Sequence, residues 1–293
     1  MLTRGIVAKS VVALTLVLFG AGRAGTQSRD SPAPAFDVAS IHSVGQQPAH
    51  VNFQNATRIR VFPGGRLVTM NTSIRELVAF AYGLQDFELT DTLPSALAKA
   101  TFDINATAGA DIPLAPRGQL GPMNLMVQTL LHDRFKVVVR REQRQGDVLV
   151  LTRVHPDRLG PGLKAATPCG VADPNGMLRA EDGTWCFGGF VNDVLNVKGL
   201  TISQFARQLE SFLLKRVVDR TGLAGAYDMT MTVNTREFPV YSRMWAIAGR
   251  TPAPSDAPTL STALRERLGL RMTPDRESVT HYVIEHAEMP ANN

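Results

Sequence analysis

Two stretches of the chain carry apolar residues at i, i+3, i+4 and i+7, a spacing that places them on one face of a helix. The apolar positions are Ile74, Leu77, Val78 and Ala81 in the first stretch and Ile202, Phe205, Ala206 and Leu209 in the second. Each stretch begins with a hydroxyl residue followed three positions later by Glu or Gln, as in a capping box. These pairs are Ser73 with Glu76 and Thr201 with Gln204. The pattern therefore predicts two amphipathic helices that begin with the same cap.

The residues that follow each helix repeat the same order of patterns. An extended piece and a turn lead to a segment that alternates with period two, which is typical of a half-buried strand. These alternating segments are Thr101–Ala106 and Ala226–Met231. A Pro-rich stretch then precedes a second helical stripe in both places. The stripe consists of Met123, Met126, Val127, Leu130 and Leu131 in the first copy and of Leu260, Ala263, Leu264 and Leu268 in the second.

Each copy is predicted to close with a hairpin, because a Gly-Asp or Pro-Asp pair separates two strand-like segments. The strands are Phe135–Val139 and Val148–Arg153 around Gln145–Asp147, and Leu270–Thr273 and Thr280–Glu285 around Pro274-Asp275.

The chain is therefore predicted to have an α+β fold made of two tandem similar modules. Each module has the order β-α-β-β-α-β-β, with two helices on a small mixed sheet. The first module spans 36–158 and opens with an alternating segment at Phe36–Ile41. A linker at 159–189 leads to the second module at 190–290. The alternative is that two unrelated α+β segments agree by chance.

The N-terminal residues 1–24 have the pattern of an export signal. Arg4 and Lys9 form a positive region, Val11–Ala21 is apolar, and Gly22 and Ala24 suit a cleavage site. The apolar run is shorter than the ~20 residues that a membrane-spanning helix needs. We therefore predict an exported protein, periplasmic or secreted, that touches a membrane only if this signal is not cleaved.

Charge excludes one class of partner. The formal net charge is +5, but three of the cations lie in the signal, and without them 28 basic residues face 26 acidic ones. A nearly neutral chain with scattered aromatics lacks the basic surface that nucleic acids require. We therefore expect no nucleic-acid binding.

Cys169 and Cys186 are the only cysteines. In an oxidising compartment two thiols usually pair, and the Gly-, Asp- and Asn-rich loop between them gains from a covalent link. A catalytic dithiol would need a closer spacing, such as Cys-x-x-Cys. We therefore predict a structural disulfide.

Several segments together resemble a family of extracytoplasmic proteins without an established activity, abundant in soil bacteria of the acidobacterial kind. They are FDVASI, LLHDRFKVVVRRE, VVDRTGLAGAYDMTM and ALRERLGLRM. The resemblance covers roughly Phe36–Pro290 and implies location and architecture rather than chemistry. Related domains are attached to membrane-embedded regulatory metalloproteases. In its order of elements, each half also resembles the short N-terminal domain of secretins and TonB-dependent receptors, a periplasmic module for protein contacts.

No catalytic, metal or cofactor motif stands out, and none is predicted. Gly-x-Ser-x-Gly, phosphate-binding glycine loops and His-Glu-x-x-His are absent. His281 and His286 are five residues apart in a predicted strand, so they fall on opposite faces. Asp219 and Asp228 flank a turn, where carboxylates usually cap the backbone or pair with a cation. These two aspartates with His281 are the set that an unrecognised hydrolase would use.

The stretch 235–258 interrupts the second copy with a longer loop than the first copy has at this place. It contains aromatic residues mixed with arginine, a composition that suits recognition of a partner. The candidate partner-binding residues are Phe238, Tyr241, Arg243 and Trp245.

We therefore expect an exported, non-enzymatic binding or interaction protein whose partner is an envelope protein or a small ligand. A paired module offers a cleft between its copies as the natural place for that partner. The alternatives are an extracytoplasmic hydrolase and a sensory domain that acts with a membrane protease.

Overall fold

The computed structural model describes residues 33–45, 58–113, 120–172, 178–179, 186–191, 193–247 and 249–290. All of them belong to one unit, Ala33–Asn293. The predicted signal at 1–24 lies outside the described residues. Helices and strands are mixed, and the strands form several small sheets, so the predicted α+β class is confirmed.

The described part of the chain contains fourteen strands, six α-helices and three short 3₁₀ or π segments. The strands are β1 (Val38–Ser43), β2 (Ile59–Phe62), β3 (Arg66–Ser73), β4 (Leu89–Asp91), β5 (Thr101–Thr107), β6 (Val138–Arg153), β7 (Leu163–Ala166), β8 (Val171–Ala172), β9 (Leu178–Arg179), β10 (Phe187–Val191), β11 (Val194–Leu200), β12 (Arg216–Asp219), β13 (Ala226–Thr232) and β14 (Leu270–His286). The helices are α1 (Ile74–Tyr82), α2 (Ser95–Lys99), α3 (Pro122–Phe135), α4 (Ile202–Leu213), α5 (Pro239–Ile247) and α6 (Leu260–Ala263).

Two four-stranded antiparallel sheets lie one in each half of the chain, taken as 33–158 and 159–290. The first has the strand order β1-β5-β3-β2, and the second has the order β10-β11-β13-β7. Strand β1 lies at one edge of the first sheet, as the alternating segment at Phe36–Ile41 predicts. Strand β7 falls within the predicted linker at 159–189, yet it pairs with β13 and completes the second sheet. The segment predicted as a linker is therefore partly a strand of the second half.

A third sheet, of order β12-β6-β14-β4, joins the two halves. Its centre is the antiparallel pair β6–β14, here called the central ribbon. Strand β12 of the second half runs parallel to β6 of the first, and β4 of the first half runs parallel to β14 of the second. Each half therefore adds a short strand to the long strand of the other.

The two predicted closing hairpins are wrong, because each predicted pair of strands is one continuous strand. Gly146 pairs with Glu277 and Pro274 pairs with Leu149 inside the ribbon. The turn signals failed because each segment finds its partner in the other half, more than a hundred residues away. At Pro274 the described chain places no strand on the other edge of β14, so a residue without an N–H is tolerated there.

Helices α1 and α4 begin as predicted. In each, the hydroxyl of the N-cap residue accepts from the backbone of the third residue, and the side chain of that residue accepts from the cap backbone. The predicted stripes are buried in both helices. The pattern of capping and of apolar spacing is therefore confirmed at residue level.

Two hydrophobic cores lie in the described chain, one for each half, and each includes residues from the other half. The core of the first half takes Ile284 and Ala287 from the end of the chain. The core of the second half takes Leu151 from β6. Because the ribbon strands cross between the cores, burial of apolar surface couples the two halves.

Candidate functional site

The stretch 235–258 contains helix α5, where the sequence suggested a loop. Its aromatic residues extend a cluster that begins in the core. Phe238 is completely buried and lies 5.0 Å from Phe190 between ring centres. Tyr241 follows at 6.2 Å from Phe238, and Trp245 at 5.9 Å from Tyr241. The predicted partner contact at Phe238 is therefore corrected to a core position, since its ring has no surface to offer.

Tyr241 and Trp245 are partly buried, one turn apart on α5. Arg243 lies on the same helix, and its side chain is outside the described part of the structure. Of the four predicted partner-binding residues, Tyr241 and Trp245 are thus the two whose described side chains reach the surface.

The carboxylate of Asp193 holds the start and the end of this stretch to the turn between β10 and β11. Its oxygens accept from the backbone and hydroxyl of Thr235, from the Ser255 hydroxyl at 2.7 Å and from Arg236 at 2.9 Å. Burial alone would raise the pKa of Asp193, but these hydrogen bonds outweigh it and hold that pKa well below its usual range. Asp193 is therefore an ionised anchor for the stretch that carries α5.

The three residues of the hypothetical hydrolase site do not come together. Asp219 lies opposite Leu151 and His281 lies opposite Glu142, so they are nine positions of β6 apart along the sheet. At the strand rise this is ~30 Å. Asp219 accepts from Ser203 at 2.8 Å and from the backbone and hydroxyl of Thr221, which is a turn-capping role.

Asp228 also has a structural role, and Asp103 has the same one in the first half. Asp228 accepts from the backbone N–H of Gly199 at 3.0 Å, and Asp103 from that of Asn71 at 2.6 Å. Gly199 and Asn71 have φ values of 59° and 49°, and each lies at a register shift in its sheet. In both sheets a carboxylate therefore caps a left-handed residue at a bulge.

Cys169 and Cys186 form the predicted disulfide, with their Cα atoms 5.9 Å apart. That separation lies in the usual range for a disulfide. The Cys186 side chain is buried in the core of the second half. The bond therefore ties the segment after β7 to the residue just before β10.

A pocket of about 170 Å³ lies over the central ribbon, where the two halves meet. A cavity of roughly 10–15 Å³ is enough to hold one water molecule. The pocket therefore has room for a small ligand. Its walls come from four separate segments. They are Phe87 and Glu88, Arg144, Gly146 and Asp147, Leu214–Arg216, and Val279–His281. We call this the central pocket.

The ribbon supplies one wall of the central pocket. Arg144 pairs with Val279 across the ribbon, and Gly146 and His281 lie two positions along the strands. These four residues therefore share a face of the sheet. A Cβ atom at Gly146 would lie 2.7 Å from a methyl group of Val279, so glycine leaves the space that this side chain fills.

A charge network joins the halves beside the pocket. Glu88, in the first half, accepts from Arg207 at 3.1 Å and from Arg216 at 2.8 Å, both in the second half. Arg207 also donates to buried Glu210 at 2.7 Å. Burial raises the pKa of Glu210, while the backbone N–H of Val217 and the two arginines oppose the rise. The two glutamates and two arginines balance each other in charge.

Two further cations line the pocket without such balance. Among the described residues, the side chains of Arg144 and Lys215 have no hydrogen-bond or ion-pair partner. The Asp147 carboxylate, also in the wall, lies 3.5 Å from Arg276. Arg144 is exposed and Lys215 is half-buried. The pocket therefore carries excess positive charge.

His281 closes one side of the pocket with a ring that is 2% exposed. Its Nε2 atom lies 3.1 Å from the Thr90 hydroxyl. Burial, together with the charge of Arg144, lowers the pKa of His281. The ring is therefore neutral at pH 7 and offers a polar edge rather than a further charge.

No local pattern in the sequence pointed to this pocket. Arg144 immediately precedes the predicted turn at Gln145–Asp147, and Lys215 precedes a short extended piece, so nothing local links them. The parallel pairing of β12 with β6, in which Arg216 lies opposite Val148, brings them together. That pairing, between distant parts of the chain, was the missing signal.

Among the described residues, no three His, Cys, Asp or Glu side chains are grouped to hold a metal ion. Within the same ranges, none of the helices has the length and apolar character needed to cross a membrane.

A protein-family model described as "Protein of unknown function (DUF3738)" matches residues 75–287, which is more than half of the chain. No curated protein and no solved structure matches the chain.

Proposed function

We propose that this chain, which belongs to the family described as protein of unknown function DUF3738, is an exported binding protein that holds a ligand in the central pocket. The observation that carries the proposal is the pocket itself, at the junction of the halves, where charged and polar side chains converge around the apolar surface of Phe87, Leu214 and Val279. That combination is typical of ligand sites in proteins. The two aspartates singled out for a hydrolase have structural roles, so we propose binding without chemistry.

The proposal includes a duplicated module, and the topology supports it. The order β1-β5-β3-β2 of the first sheet matches the order β7-β13-β11-β10 of the second, read from its other edge. The capping boxes of α1 and α4 correspond, as do the capped bulges at Asn71 and Gly199. In the third sheet, the exchange of β4 and β12 is reciprocal. A ligand pocket over the ribbon is then a site between two copies.

Export is the second component of the proposal. A disulfide is typical of proteins in an oxidising compartment, and the pattern of residues 1–24 fits a signal for export. The resemblance to soil-associated extracytoplasmic proteins and to the short domain of secretins and TonB-dependent receptors points to the same compartment.

A second candidate function is contact with an envelope protein through α5, including a membrane protease that the chain would serve as a sensory domain. The observation that favours it is the pair Tyr241 and Trp245 at the outer end of the aromatic cluster. Replacing Trp245 with a photoreactive residue should yield one crosslinked envelope protein. A chain recovered alone from crosslinked cells contradicts this second function.

The test of the main proposal is a ligand-observed NMR screen of the full chain with a fragment library of mixed charge. Val279→Phe places a larger side chain in the pocket wall, and we expect it to abolish the signals of the hits. Thr273→Phe is the matched control, because Thr273 lies on the same strand, is exposed and is outside the pocket. Hits that survive Val279→Phe, or the absence of any hit, contradict binding in the central pocket.

A further inference from the structure

We propose that the ligand of the central pocket is a small organic anion. Its carboxylate or phosphate group lies against Arg144 and Lys215, and its apolar part lies against Phe87, Leu214 and Val279. The inference rests on the proposed function and adds to it the chemical class of the ligand.

The charges of the pocket favour an anion. Both carboxylates in the wall already have cationic partners, Glu88 with two arginines and Asp147 with one. Arg144 and Lys215 are the lining cations that lack such a partner among the described residues. A cationic ligand would meet two like charges and would have to compete with an arginine for either carboxylate of the wall. An anion would complete the pairing that the chain leaves open.

The types of these two cations also suit such a head group. A guanidinium offers parallel N–H donors that match the two oxygens of a carboxylate or phosphate. An ammonium adds three donors on a flexible stem. Because Arg144 is exposed and Lys215 half-buried, both stay hydrated in the empty protein at little cost. The site is thus stable without its ligand and still attractive to an anion.

The remaining walls limit the ligand to an organic one. Phe87, Leu214 and Val279 give apolar surface, and buried, neutral His281 gives a polar edge. Inorganic phosphate or sulfate would leave these apolar surfaces uncovered. A short apolar body attached to the anionic group would cover them, and the volume of about 170 Å³ suits a molecule of that size.

The test measures the affinity of the full chain for four probes by NMR titration. Hexanoate and butyl phosphate carry the two candidate head groups, while hexanamide and hexylamine are the neutral and cationic counterparts. We expect hexanoate or butyl phosphate to bind at least tenfold more tightly than hexanamide, and hexylamine not to bind. Whichever of the two anions binds more tightly identifies the head group.

The double variant Arg144→Gln, Lys215→Gln should weaken binding of the preferred anion at least tenfold. The matched control is Arg60→Gln, Lys99→Gln, which removes two exposed cations that lie outside the pocket. We expect it to leave the affinity within a factor of two. Equal loss in both double variants would overturn the inference, because it would show an effect of net charge alone.

The failure of the inference and of the proposed function can be told apart. If hexanamide binds as tightly as both anions and Val279→Phe abolishes its binding, the pocket is a ligand site but not an anion site. If none of the probes and no fragment of the library binds, both the anion inference and the proposed binding function are contradicted. An anion that binds equally well to Val279→Phe overturns the pocket as its site.

Discussion

Glu88 offers a test in which stability and ligand binding should change in opposite directions. Its carboxylate, only 10% exposed, joins the halves through Arg207 and Arg216 and also forms part of the pocket wall. Glu88→Gln keeps the shape and can still accept from the backbone N–H of Gln85. The substitution therefore removes one negative charge while leaving the local turn intact.

The loss of stability can be bounded from the exposure of the partners. A buried ion pair that loses one member costs about 3–5 kcal/mol, and an exposed pair about 0.2–1 kcal/mol. The side chains of Arg207 and Arg216 are 34% and 42% exposed, so both can turn toward water when the carboxylate is gone. We therefore expect the free energy of unfolding to fall by about 2 kcal/mol.

The same substitution should increase the affinity for an anionic ligand, although it lowers the stability of the fold. Replacing Glu88 with neutral Gln raises the net charge around the ligand by one positive unit. A unit charge roughly 7 Å away contributes about 1 kcal/mol at an effective dielectric of about 50, which is about fivefold in affinity. Hexanoate should therefore bind Glu88→Gln about five times more tightly than the unaltered chain.

Urea denaturation at pH 7 and NMR titration with hexanoate measure the two effects. Glu266→Gln is the matched control, because Glu266 is 62% exposed and lies outside the pocket. A Glu88→Gln protein that is as stable as the control would show that the network does not join the halves. A variant that binds hexanoate more weakly would refute the electrostatic reasoning.

Three further predictions concern the fold. Asp193→Ala should lower the free energy of unfolding by about 3 kcal/mol at pH 7, because the hydrogen bonds that hold the α5 stretch are lost. Since the folded pKa of Asp193 is held low, its contribution is present above about pH 4 and disappears as the pH falls further. The difference between wild type and variant in urea titrations should therefore shrink in acid, and a constant difference down to pH 2.5 contradicts this. Alkylation without reductant should label neither Cys169 nor Cys186, and reduction should cost about 3 kcal/mol, whereas two labelled thiols in the mass spectrum would disprove the disulfide. Asp103→Ala and Asp228→Ala should each cost about 1–2 kcal/mol in thermal unfolding, because each removes the cap of a bulge. A loss in only one of them would contradict the equivalence of the two sites.

Local signals predicted the parts of the fold that depend on neighbouring residues. The caps at Ser73 and Thr201 and the stripes behind them follow from contacts three or four residues apart, which a sequence displays directly. The strands β5 and β13 follow from alternation alone. These elements required no information about the rest of the chain.

The central ribbon could not be predicted from local sequence signals. Gly146-Asp147 and Pro274-Asp275 favour turns. However, the pairing of β6 with β14, strands of sixteen and seventeen residues, forms far more backbone hydrogen bonds than two short hairpins would. The same limit applies to Phe238, whose burial depends on Phe190 and Phe212 in distant elements. It applies most strongly to the pocket, which exists only once the ribbon is in register.

The most direct test of binding between the two halves is a crystal structure of the full chain with 6-bromohexanoate. Anomalous scattering locates the bromine wherever it binds, without any assumption about the site. We predict one bromine peak in the central pocket, near Phe87 and Leu214, with the carboxylate against Arg144 and Lys215. Bromine bound elsewhere, with the pocket empty at the same concentration, would contradict this claim.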